Sequence, residues 1–365
     1  MTGIEHSPGD ASRPANTVLV IGTGLIGTSI GLGLRRRGIE VWLDDHDPGT
    51  AATAQRLGAG VVGRPSTDPD VVFVAVPPSQ TASVVATALR MYVTSTLSDV
   101  ASTKSHLQPD RDGLPADLSR FVPGHPLAGR EVSGPGAARD DLFADRVWAL
   151  TPSDRTDPAR VAQVAALVEL LGGLPLMTTP QAHDRAVAMT SHTPQVVASL
   201  VAAGLAPLTD ADARLSGQGL RDMTRLAASD PDLWTEILTS NAEPVAEALD
   251  GLIDRLATVR DGLRSGSSGQ VRASLAAGVV GVAKVPGKHG SQPVAYAIVP
   301  VVIADRPGEL GRLFAAAAST EVNLEDVRIE HAQGRPTGLV ELEVRPESAA
   351  ALADGLRAQG FEVRG

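Results

Sequence analysis

Cysteine is absent from this chain of 365 residues. Its absence excludes disulfides, thiolate metal sites and a cysteine nucleophile. Long apolar runs are also missing, since none approaches the ~18 residues needed to span a bilayer. The 32 basic residues form no long cluster, and the formal net charge is −10. We therefore expect a cytoplasmic protein without a nucleic-acid or anionic-membrane partner.

The first 16 residues, "MTGIEHSPGDASRPAN", are polar and lack the apolar core of a signal peptide. We expect them to form a disordered leader. The length of the remaining chain predicts two or three domains of roughly 100–200 residues each.

Short runs rich in valine and isoleucine alternate with longer amphipathic stretches from Thr17 to Thr179. The runs "TVLVIG", "EVWLDD" and "DVVFVAVP" predict buried strands, and further strands are expected at "TLSDV", at residues 147–150 and at "LPLMTT". Apolar runs that do not alternate indicate a parallel sheet covered on both faces. The pattern predicts a doubly wound α/β domain over residues 17–179.

The strand patterns stop after Thr179. Two long stretches rich in alanine and leucine predict an all-helical domain over residues 180–265. The "SGSSG" segment and the stretch ending "VAKVPGKHGSQP" predict a linker over residues 266–293. Beyond it, strand and helix patterns return and predict a small α+β domain of βαββαβ order over residues 294–365.

The segment "GTGLIG", from Gly22 to Gly27, joins the first predicted strand to its helix. Gly22 permits the tight turn, Gly24 lets the backbone approach a pyrophosphate, and Gly27 allows close packing of helix on strand. An acidic residue closes the second strand about 20 residues further on, as in Rossmann domains that bind dinucleotides. These features predict a cofactor site formed by Gly22, Gly24, Leu25, Ile26, Gly27 and Asp45.

Asp45 lies in "WLDDHDP" and is expected to accept hydrogen bonds from the adenosine ribose. A 2′-phosphate at this place would meet Asp44, Asp45 and Asp47, with no arginine close in sequence. The sequence therefore favours NAD over NADP. We interpret Asp44 and Asp47 as solvated turn residues.

Two loops should open over the nicotinamide, because each follows a strand of the predicted sheet. The first, "SDVASTKS", holds Ser102 and Lys104, which on their own fit an N-cap serine and a surface lysine. The second, "FVPGHPLAGREVSGPG", places His125 between turns rich in glycine and proline, which a helix or a central strand does not accommodate. A titratable imidazole in such a loop is a candidate catalytic group.

The segments "VIGTGLIGTSIGLGLRR", "SDVASTKS", "GHPLAGREVSG", "SHTPQ" and "GLRDMTRLAASDPDLW" resemble, in order and spacing, the prephenate dehydrogenase family of tyrosine biosynthesis. The resemblance covers about residues 17–262. It implies a Rossmann domain, a helical dimerisation domain, a homodimer, and NAD-dependent oxidative decarboxylation of prephenate to 4-hydroxyphenylpyruvate without a metal. "DRPGELGRLF" resembles an ACT domain, which implies an amino-acid site at Asp305, Gly308 and Asn323. We hypothesise that tyrosine, the end product, is its effector.

The resemblance also implies site residues. His125 matches the catalytic histidine, which removes the substrate's hydroxyl proton as hydride leaves the same carbon. Ser102 matches the serine that orients this histidine. The substrate pocket is implied to contain Glu131, His192, Gln195, Arg225 and Trp234. Arg225 would bind a carboxylate, although an interhelical ion pair is equally open for it, and Trp234 fits either the pocket wall or the core.

Gln195 departs from the family pattern. Many family members have a second histidine three positions after the histidine that matches His192, and Gln195 occupies that position here. This position is implied to lie near the substrate side chain, which is a keto acid in prephenate and an amino acid in arogenate. A glutamine amide both donates and accepts hydrogen bonds, whereas a cationic histidine favours the negative charge of the keto acid. Prephenate is the predicted substrate, and arogenate is the alternative.

Two other functions fit parts of the sequence. A nucleotide-binding domain with an ACT-like domain would suit a non-enzymatic sensor, but a sensor needs no general base, and His125, Ser102 and Arg225 are all present. A β-hydroxyacid or imine reductase of related fold would need a lysine base on the helical domain. The first helices after Thr179 contain no lysine.

Overall fold

The structure is a computed structural model that describes residues 14–105, 107, 114–115, 117–130, 132–285, 296–331 and 336–364. The chain divides into two units, Met1–Ala257 and Thr258–Gly365. Among the described helices, none is both long enough and apolar enough to cross a membrane.

The first unit begins with five strands and three helices: β1 (Thr17–Ile21), α1 (Leu25–Arg36), β2 (Glu40–Asp44), α2 (Pro48–Arg56), β3 (Val61–Val62), β4 (Val71–Val74), α3 (Pro78–Met91) and β5 (Thr96–Asp99). All the strands are parallel and lie in the order β3-β2-β1-β4-β5. Parallel neighbours need crossover connections, which the helices provide. The predicted doubly wound α/β fold is confirmed.

Strands β1, β4 and β5 are buried on both faces, as the unbroken apolar runs of β1 and β4 predict, whereas the edge strand β3 is exposed. Val18 and Val20 of β1 pack into a core shared with α1, whereas Leu19 packs into a second core shared with α3. With both faces covered, the open places for a ligand are the ends of the strands, and loops at the carboxyl ends usually bind it.

A second, three-stranded sheet contains β6 (Gly124–Pro126), β7 (Val147–Leu150) and β8 (Leu174–Met177), with α4 (Pro158–Leu170) between the last two. β6 runs antiparallel to β7, and β8 runs parallel to it. A parallel bridge between Leu97 and Phe121 connects β5 to the segment before β6. This bridge brings β6 beside the carboxyl end of the parallel sheet.

Helices follow without further strands in this unit: α5 (Pro180–Val187), α6 (Thr193–Ala203), α7 (Asp210–Ala213), α8 (Gln218–Thr224), α9 (Pro231–Ser240) and α10 (Ala242–Arg264). Residues Ala188–His192 form a π-helical turn between α5 and α6. π-helical turns are rare in proteins, and those that occur often lie at functional sites. The last turns of α10 belong to the second unit.

The second unit contains a helix, α11 (Ser268–Val282), where the sequence predicted a linker. The linker prediction over residues 266–293 is therefore wrong for this segment, and residues 286–293 lie outside the described part. The stretch "SGQVRASLAAGVVGV" contains no proline and is rich in alanine and valine. Its three glycines each lower helix stability by only ~1 kcal/mol relative to alanine, so they do not prevent a helix.

The rest of the second unit is a small α+β domain: β9 (Ala297–Ala304), α12 (Glu309–Ala318), β10 (Asp326–His331), β11 (Thr337–Val344), α13 (Ala349–Ala358) and β12 (Glu362–Val363). Its antiparallel sheet has the order β10-β11-β9-β12. Alternate residues of β11 are buried, and both helices contribute to the single core beneath the sheet. The predicted α+β domain of βαββαβ order is confirmed.

The sequence predicted a disordered leader over residues 1–16, and this prediction is wrong for residues 14–16. Ala15 is buried, and the backbone N–H of Asn16 donates to Asp70 Oδ2 at 2.7 Å. Residues 14–16 therefore pack within the first unit, where the backbone of Asn16 is hydrogen-bonded to the carboxylate of Asp70 beside β4. Residues 1–13 lie outside the described part of the chain.

Candidate active site

The glycine loop between β1 and α1 is shaped by the backbone around it. Gly22 has a φ of +95°, and its N–H donates to the carbonyl of Asp44 at 2.8 Å. A Cβ at Gly22 would overlap the carbonyl oxygen of Ala75, and a Cβ at Gly27 would overlap that of Gly22. Packing within the protein therefore requires glycine at both positions.

Gly24 is different, because a Cβ there would meet no heavy atom within 4 Å. It precedes α1, whose N-terminus carries no side-chain cap and begins with Leu25 and Ile26. Uncapped amides at a helix N-terminus suit an anion such as a pyrophosphate. The space at Gly24 and the free amides fit the predicted dinucleotide.

Asp45 lies just beyond β2, with its side chain 6% exposed. Its Oδ2 accepts hydrogen bonds from Thr23 N at 2.5 Å and Thr23 Oγ1 at 2.8 Å. Its Oδ1 accepts one from Asp47 N at 2.9 Å. Asp45 therefore fastens the glycine loop to the end of β2, a structural role that the sequence did not indicate.

Asp44 and Asp47 were interpreted as solvated turn residues, and the structure gives both of them partners. Asp47 caps α2 by accepting a hydrogen bond from Gly49 N at 2.9 Å. Asp44 Oδ2 accepts from Nε and Nη2 of Arg64 at 3.0 and 2.8 Å. An arginine thus lies beside the predicted ribose site, although none is close in sequence, because β3 returns the chain alongside β2.

His125 lies on β6, where its backbone pairs with Ala149 of β7. Its Nδ1 is 2.9 Å from Nε2 of His183, and Nδ1 of His183 is 2.8 Å from Asp184 Oδ1. The side chains of His183 and Asp184 are 3% and 2% exposed. Sequence reasoning missed both residues; the adjacent "HD" near the start of the helical region was the only local signal, and nothing in it pointed to His125.

The imidazole of His125 is held neutral by its surroundings. Burial is the largest cause that lowers the pKa of His125 well below its usual value, and the nearby His183 and Lys104 lower it further. His192 acts in the same direction, whereas the carboxylate of Asp184 opposes the shift. At physiological pH His125 is therefore neutral, and its role as the catalytic base stays a prediction.

Ser102 does not make the contact expected of it. Its Oγ is buried without a hydrogen-bond partner, while Nδ1 of His125 is engaged by His183. The expectation that Ser102 orients His125 is therefore wrong for this structure. The physical reason is that α5 places the ring of His183 against Nδ1 of His125, which leaves this nitrogen unavailable to Ser102. A buried hydroxyl without a partner is suited to a bound ligand atom.

Lys104 is also not the surface lysine that its segment suggested. Its side chain is fully buried and forms an ion pair with Asp99 at the end of β5. Its backbone N–H donates to Asp184 Oδ1 at 2.9 Å. The loop after β5 is thus bonded to α5 and to the strand that precedes it.

His192 is buried at the end of the π-helical turn. Nδ2 of Asn241 donates to the carbonyl of Asp184 at 2.9 Å and lies 3.1 Å from Nδ1 of His192. The amide nitrogen is a donor, so Nδ1 of His192 accepts and Nε2 carries the hydrogen. Burial lowers the pKa of His192 to about 4. Trp234 lies edge-on to this ring, with 6.1 Å between ring centroids.

Gln195, on the first turn of α6, is buried with its amide in one orientation. Nε2 donates to the carbonyl of Leu226 at 2.9 Å, and Oε1 is buried without a partner. Leu226 follows Arg225, which is exposed at the turn after α8. Glu131 lies outside the described residues.

The residues expected to bind an amino acid are at the start of α12 and before β10. Gly308 precedes the helix with a φ of +92°, and Asn323 Nδ2 donates to Glu325 Oε1 at 3.0 Å. Asp305 donates its backbone N–H to the carbonyl of Pro336 at 2.9 Å. The first helical residue, Glu309, is buried and ion-paired with Arg306 and Arg312.

Two family models match the chain. One is described as prephenate dehydrogenase, nucleotide-binding domain, and matches residues 30–175. The other is described as prephenate dehydrogenase, dimerization domain, and matches residues 179–277. The second match ends at residue 277, within α11.

Known proteins are similar over most of the chain. Probable prephenate dehydrogenase NovF of Streptomyces niveus is 38% identical over 357 residues, which cover 93% of this chain and 97% of that protein. Prephenate dehydrogenase from A. aeolicus, in a structure with hydroxyphenyl propionate and NAD+, has a TM-score of 0.67 at 28% identity and covers 74% of this chain and 99% of its own. Arogenate dehydrogenase of Synechocystis has a TM-score of 0.63 at 26% identity, with 73% and 98% covered.

The two family models together match more than half of the chain, and the relative from Streptomyces niveus covers nearly all of it. The chain belongs to the prephenate dehydrogenase family of NAD-dependent oxidoreductases.

Proposed function

We propose that this protein is a prephenate dehydrogenase, which converts prephenate to 4-hydroxyphenylpyruvate and CO₂. The observation that carries the proposal is the state of His125. Its Nδ1 is engaged by His183, so Nε2 is the ring nitrogen left for a substrate. Burial keeps the imidazole neutral, as a general base must be before it accepts a proton.

The glycine loop supports NAD as the cofactor. Gly24 leaves room for a pyrophosphate, and the uncapped N-terminus of α1 would donate its amides to it. Asp45 is fixed by Thr23 at the end of β2, where it can also accept from ribose hydroxyls. Bound NAD would supply the hydride acceptor.

His125 would take the proton of the substrate's ring hydroxyl while hydride leaves the same carbon. The electron pair of the broken O–H bond then forms the new carbon–oxygen double bond. The ring carboxylate leaves as CO₂, and the electrons of the broken carbon–carbon bond complete the aromatic ring and turn the carbonyl oxygen into a phenolate. The phenolate then takes the proton back from Nε2 of His125 to form the hydroxyl of the product. Aromatisation supplies the driving force, so the protein's main task is to hold the base and the substrate in place.

Further side chains would bind the substrate or line its pocket. His192 presents Nε2–H, a donor suited to a carboxylate or carbonyl oxygen, and Trp234 packs against its ring. Arg225 would bind a carboxylate with its planar guanidinium. The hydroxyl of Ser102 has its hydrogen bonds free for a ligand. The contribution predicted for Glu131 stays part of this proposal.

The test is turnover of prephenate with NAD by the wild-type protein and by His125→Asn, followed by NADH absorbance. We expect kcat to fall by ~10²–10⁴ in the variant, with KM nearly unchanged. Unfolding temperature and NAD binding should match the wild type and serve as controls for folding. No turnover of prephenate by the wild type, or full activity of His125→Asn, would contradict the proposal.

Arogenate is a second candidate substrate, favoured by the orientation of Gln195. Its Oε1 is a buried acceptor without a partner, and Nε2 cannot turn toward the substrate without leaving the carbonyl of Leu226. An acceptor at this place suits the ammonium of arogenate better than the keto group of prephenate. Parallel assays should show activity with both substrates, and Gln195→His should raise the ratio of kcat/KM for prephenate over arogenate.

We also propose a homodimer, regulation by tyrosine and a cytoplasmic location. The dimerisation domain supports a homodimer, and α11 exposes Leu275, Val279 and Val282. Light scattering should give twice the chain mass, and Val279→Glu should reduce it if α11 lies in the interface. Tyrosine is the proposed effector of the C-terminal domain. A cytoplasmic location stays a prediction.

A further inference from the structure

The carboxylate of Asp184 is surrounded by hydrogen-bond donors from the loop after β5 and from His183. Oδ1 accepts from Lys104 N at 2.9 Å and lies 2.8 Å from His183 Nδ1, and Oδ2 accepts from Ser105 N at 2.7 Å. Burial opposes ionisation, but the hydrogen bonds from His183 and the two amides outweigh it and lower the pKa of Asp184 to about 2. Asp184 is therefore ionised at physiological pH and cannot donate.

This ionised carboxylate determines which ring nitrogens carry hydrogen. Since Asp184 only accepts, Nδ1 of His183 must be the donor in that contact. A neutral His183 then has a lone pair on Nε2, so the 2.9 Å contact requires His125 to donate from Nδ1. It follows that Nε2 of His125 is unprotonated and can act as the base.

We propose that His183 and Asp184 are positioning residues that hold His125 in its basic tautomer and relay the proton it receives. The inference rests on the proposed function of His125. When Nε2 of His125 takes the substrate's proton, Nδ1–H passes its own proton to Nε2 of His183. His125 becomes neutral again, and His183 becomes an imidazolium whose Nδ1–H still donates to the Asp184 carboxylate. When the phenolate oxygen of the product takes a proton from Nε2 of His125, the proton on His183 returns to Nδ1 of His125 and both starting tautomers are restored.

The surroundings of His125 explain why a relay is useful. The half-buried ring lies near Lys104 and His192, which with His183 disfavour a positive charge on it, whereas Asp184 favours one. A proton left on His125 would therefore be held weakly. Moved one ring further, the positive charge is adjacent to the carboxylate, where a buried ion pair stabilises it. The side chains of His183 and Asp184 are 3% and 2% exposed, so this ion pair would be shielded from solvent.

A purely structural role must be distinguished, because Asp184 also anchors the loop after β5. Two variants separate the roles. In His183→Gln, the amide can accept from His125 and donate to Asp184, so the tautomer is kept but the proton cannot pass. In Asp184→Asn, the amide nitrogen can donate to His183, which would move the hydrogen of His125 to Nε2 and block the base.

The first measurement needs no turnover, so it separates this inference from the proposed function. Nitrogen-15 NMR of the resting full-length protein should show His125 protonated on Nδ1 in the wild type and in His183→Gln. In Asp184→Asn it should show protonation on Nε2. A wild-type His125 that carries its hydrogen on Nε2 overturns the inference, whatever the substrate of the enzyme is.

The second measurement is kinetic, with prephenate and NAD. We expect Asp184→Asn to lose kcat by ~10²–10⁴ with little change in KM, and His183→Gln to lose less. A plot of kcat against the deuterium fraction of the solvent should be curved for the wild type. The same plot should be a straight line for His183→Gln. Asp157→Asn, at a helix cap outside the site, is the matched control with normal kcat. A folded His183→Gln with the wild-type rate and the same curve overturns the relay.

Discussion

Nζ of Lys104 lies 2.6 Å from the carbonyl oxygen of Gly124, the residue before His125. The same ammonium is paired with Asp99, whose other carboxylate oxygen accepts the N–H of Gly124 at 3.2 Å. Both backbone groups of Gly124 are thus fixed to one buried ion pair at the end of β5. This pair holds the short strand that carries the proposed base.

We expect Lys104→Met to destabilise the protein by ~3–5 kcal/mol, since it leaves the Asp99 carboxylate buried without its counter-charge. Urea unfolding followed by far-ultraviolet circular dichroism measures the change. The double variant Lys104→Met with Asp99→Asn should recover part of the loss because no charge remains buried. A single variant that loses less than ~1 kcal/mol would show that Asp99 is solvated or protonated instead.

The pH dependence of kcat/KM should have its acidic limb below the usual range for histidine. His125 acts in its neutral form, and burial lowers its pKa, with His183 and Lys104 acting in the same direction. Activity should therefore persist as the pH falls through ~6.5 and be lost only when it falls through the lowered pKa. Initial rates over a pH series with subsaturating prephenate give the profile. An acidic limb at or above ~6.5 would contradict the lowered pKa.

Asp45→Ala should raise KM for NAD and relax the bias against NADP. The carboxylate both bonds the ribose and repels a 2′-phosphate. The variant should also melt at a lower temperature, because Asp45 holds Thr23 of the glycine loop. A wild-type enzyme that already prefers NADP would contradict this assignment.

Arg64 offers a sharper test of coenzyme choice. It is held by Asp44, so adding Asp44→Asn to Asp45→Ala should free its guanidinium for a 2′-phosphate and raise kcat/KM for NADP. Adding Arg64→Gln should cancel that gain while leaving kcat/KM for NAD unchanged. If the gain survives without the guanidinium, Arg64 does not reach the phosphate.

Gly24 and Gly27 should respond differently to alanine. Gly24 has a φ of −68° and open space around it, so Gly24→Ala should fold normally but weaken NAD binding on the order of tenfold by occupying the ligand's space. Gly27→Ala should lower the melting temperature, because the new methyl group overlaps the backbone of Gly22. Calorimetry of binding and of unfolding separates the two effects. Equal melting temperatures for the two variants would contradict the packing argument.

Gly308→Val should reduce inhibition by tyrosine if the C-terminal domain binds the effector. The matched control is Gly360→Val, since Gly360 also has a positive φ, of +81°, and lies in the same domain with open space around it. Activity titrated with tyrosine gives the apparent coupling, typically ~1–3 kcal/mol. Equal loss of sensitivity in both variants would indicate general unfolding of the domain. Unchanged sensitivity in both would place the inhibitor elsewhere.

The cofactor loop could be predicted from the sequence because its requirements are local. Gly22 and Gly27 are needed by the turn and by helix–strand contact within a few residues, and Asp45 follows a strand whose apolar run is visible in the sequence. The linker prediction at α11 was wrong because it also used only local residue types. Glycine and serine near Ser268 were read as breakers, although the alanine and valine that follow are compatible with a helix.

The sequence alone determined the glycine loop and the order of elements outside α11, since these depend on residue type and short spacing. The proposed base, His125, came from the resemblance of its segment to the family. Only the tertiary structure decided what surrounds that base. His183 lies 58 residues from His125 and replaces Ser102 as its partner, and Arg64 reaches Asp44 from 20 residues away. These distances depend on how α5 and β3 pack against the sheet, and a local pattern carries no information about packing between remote segments.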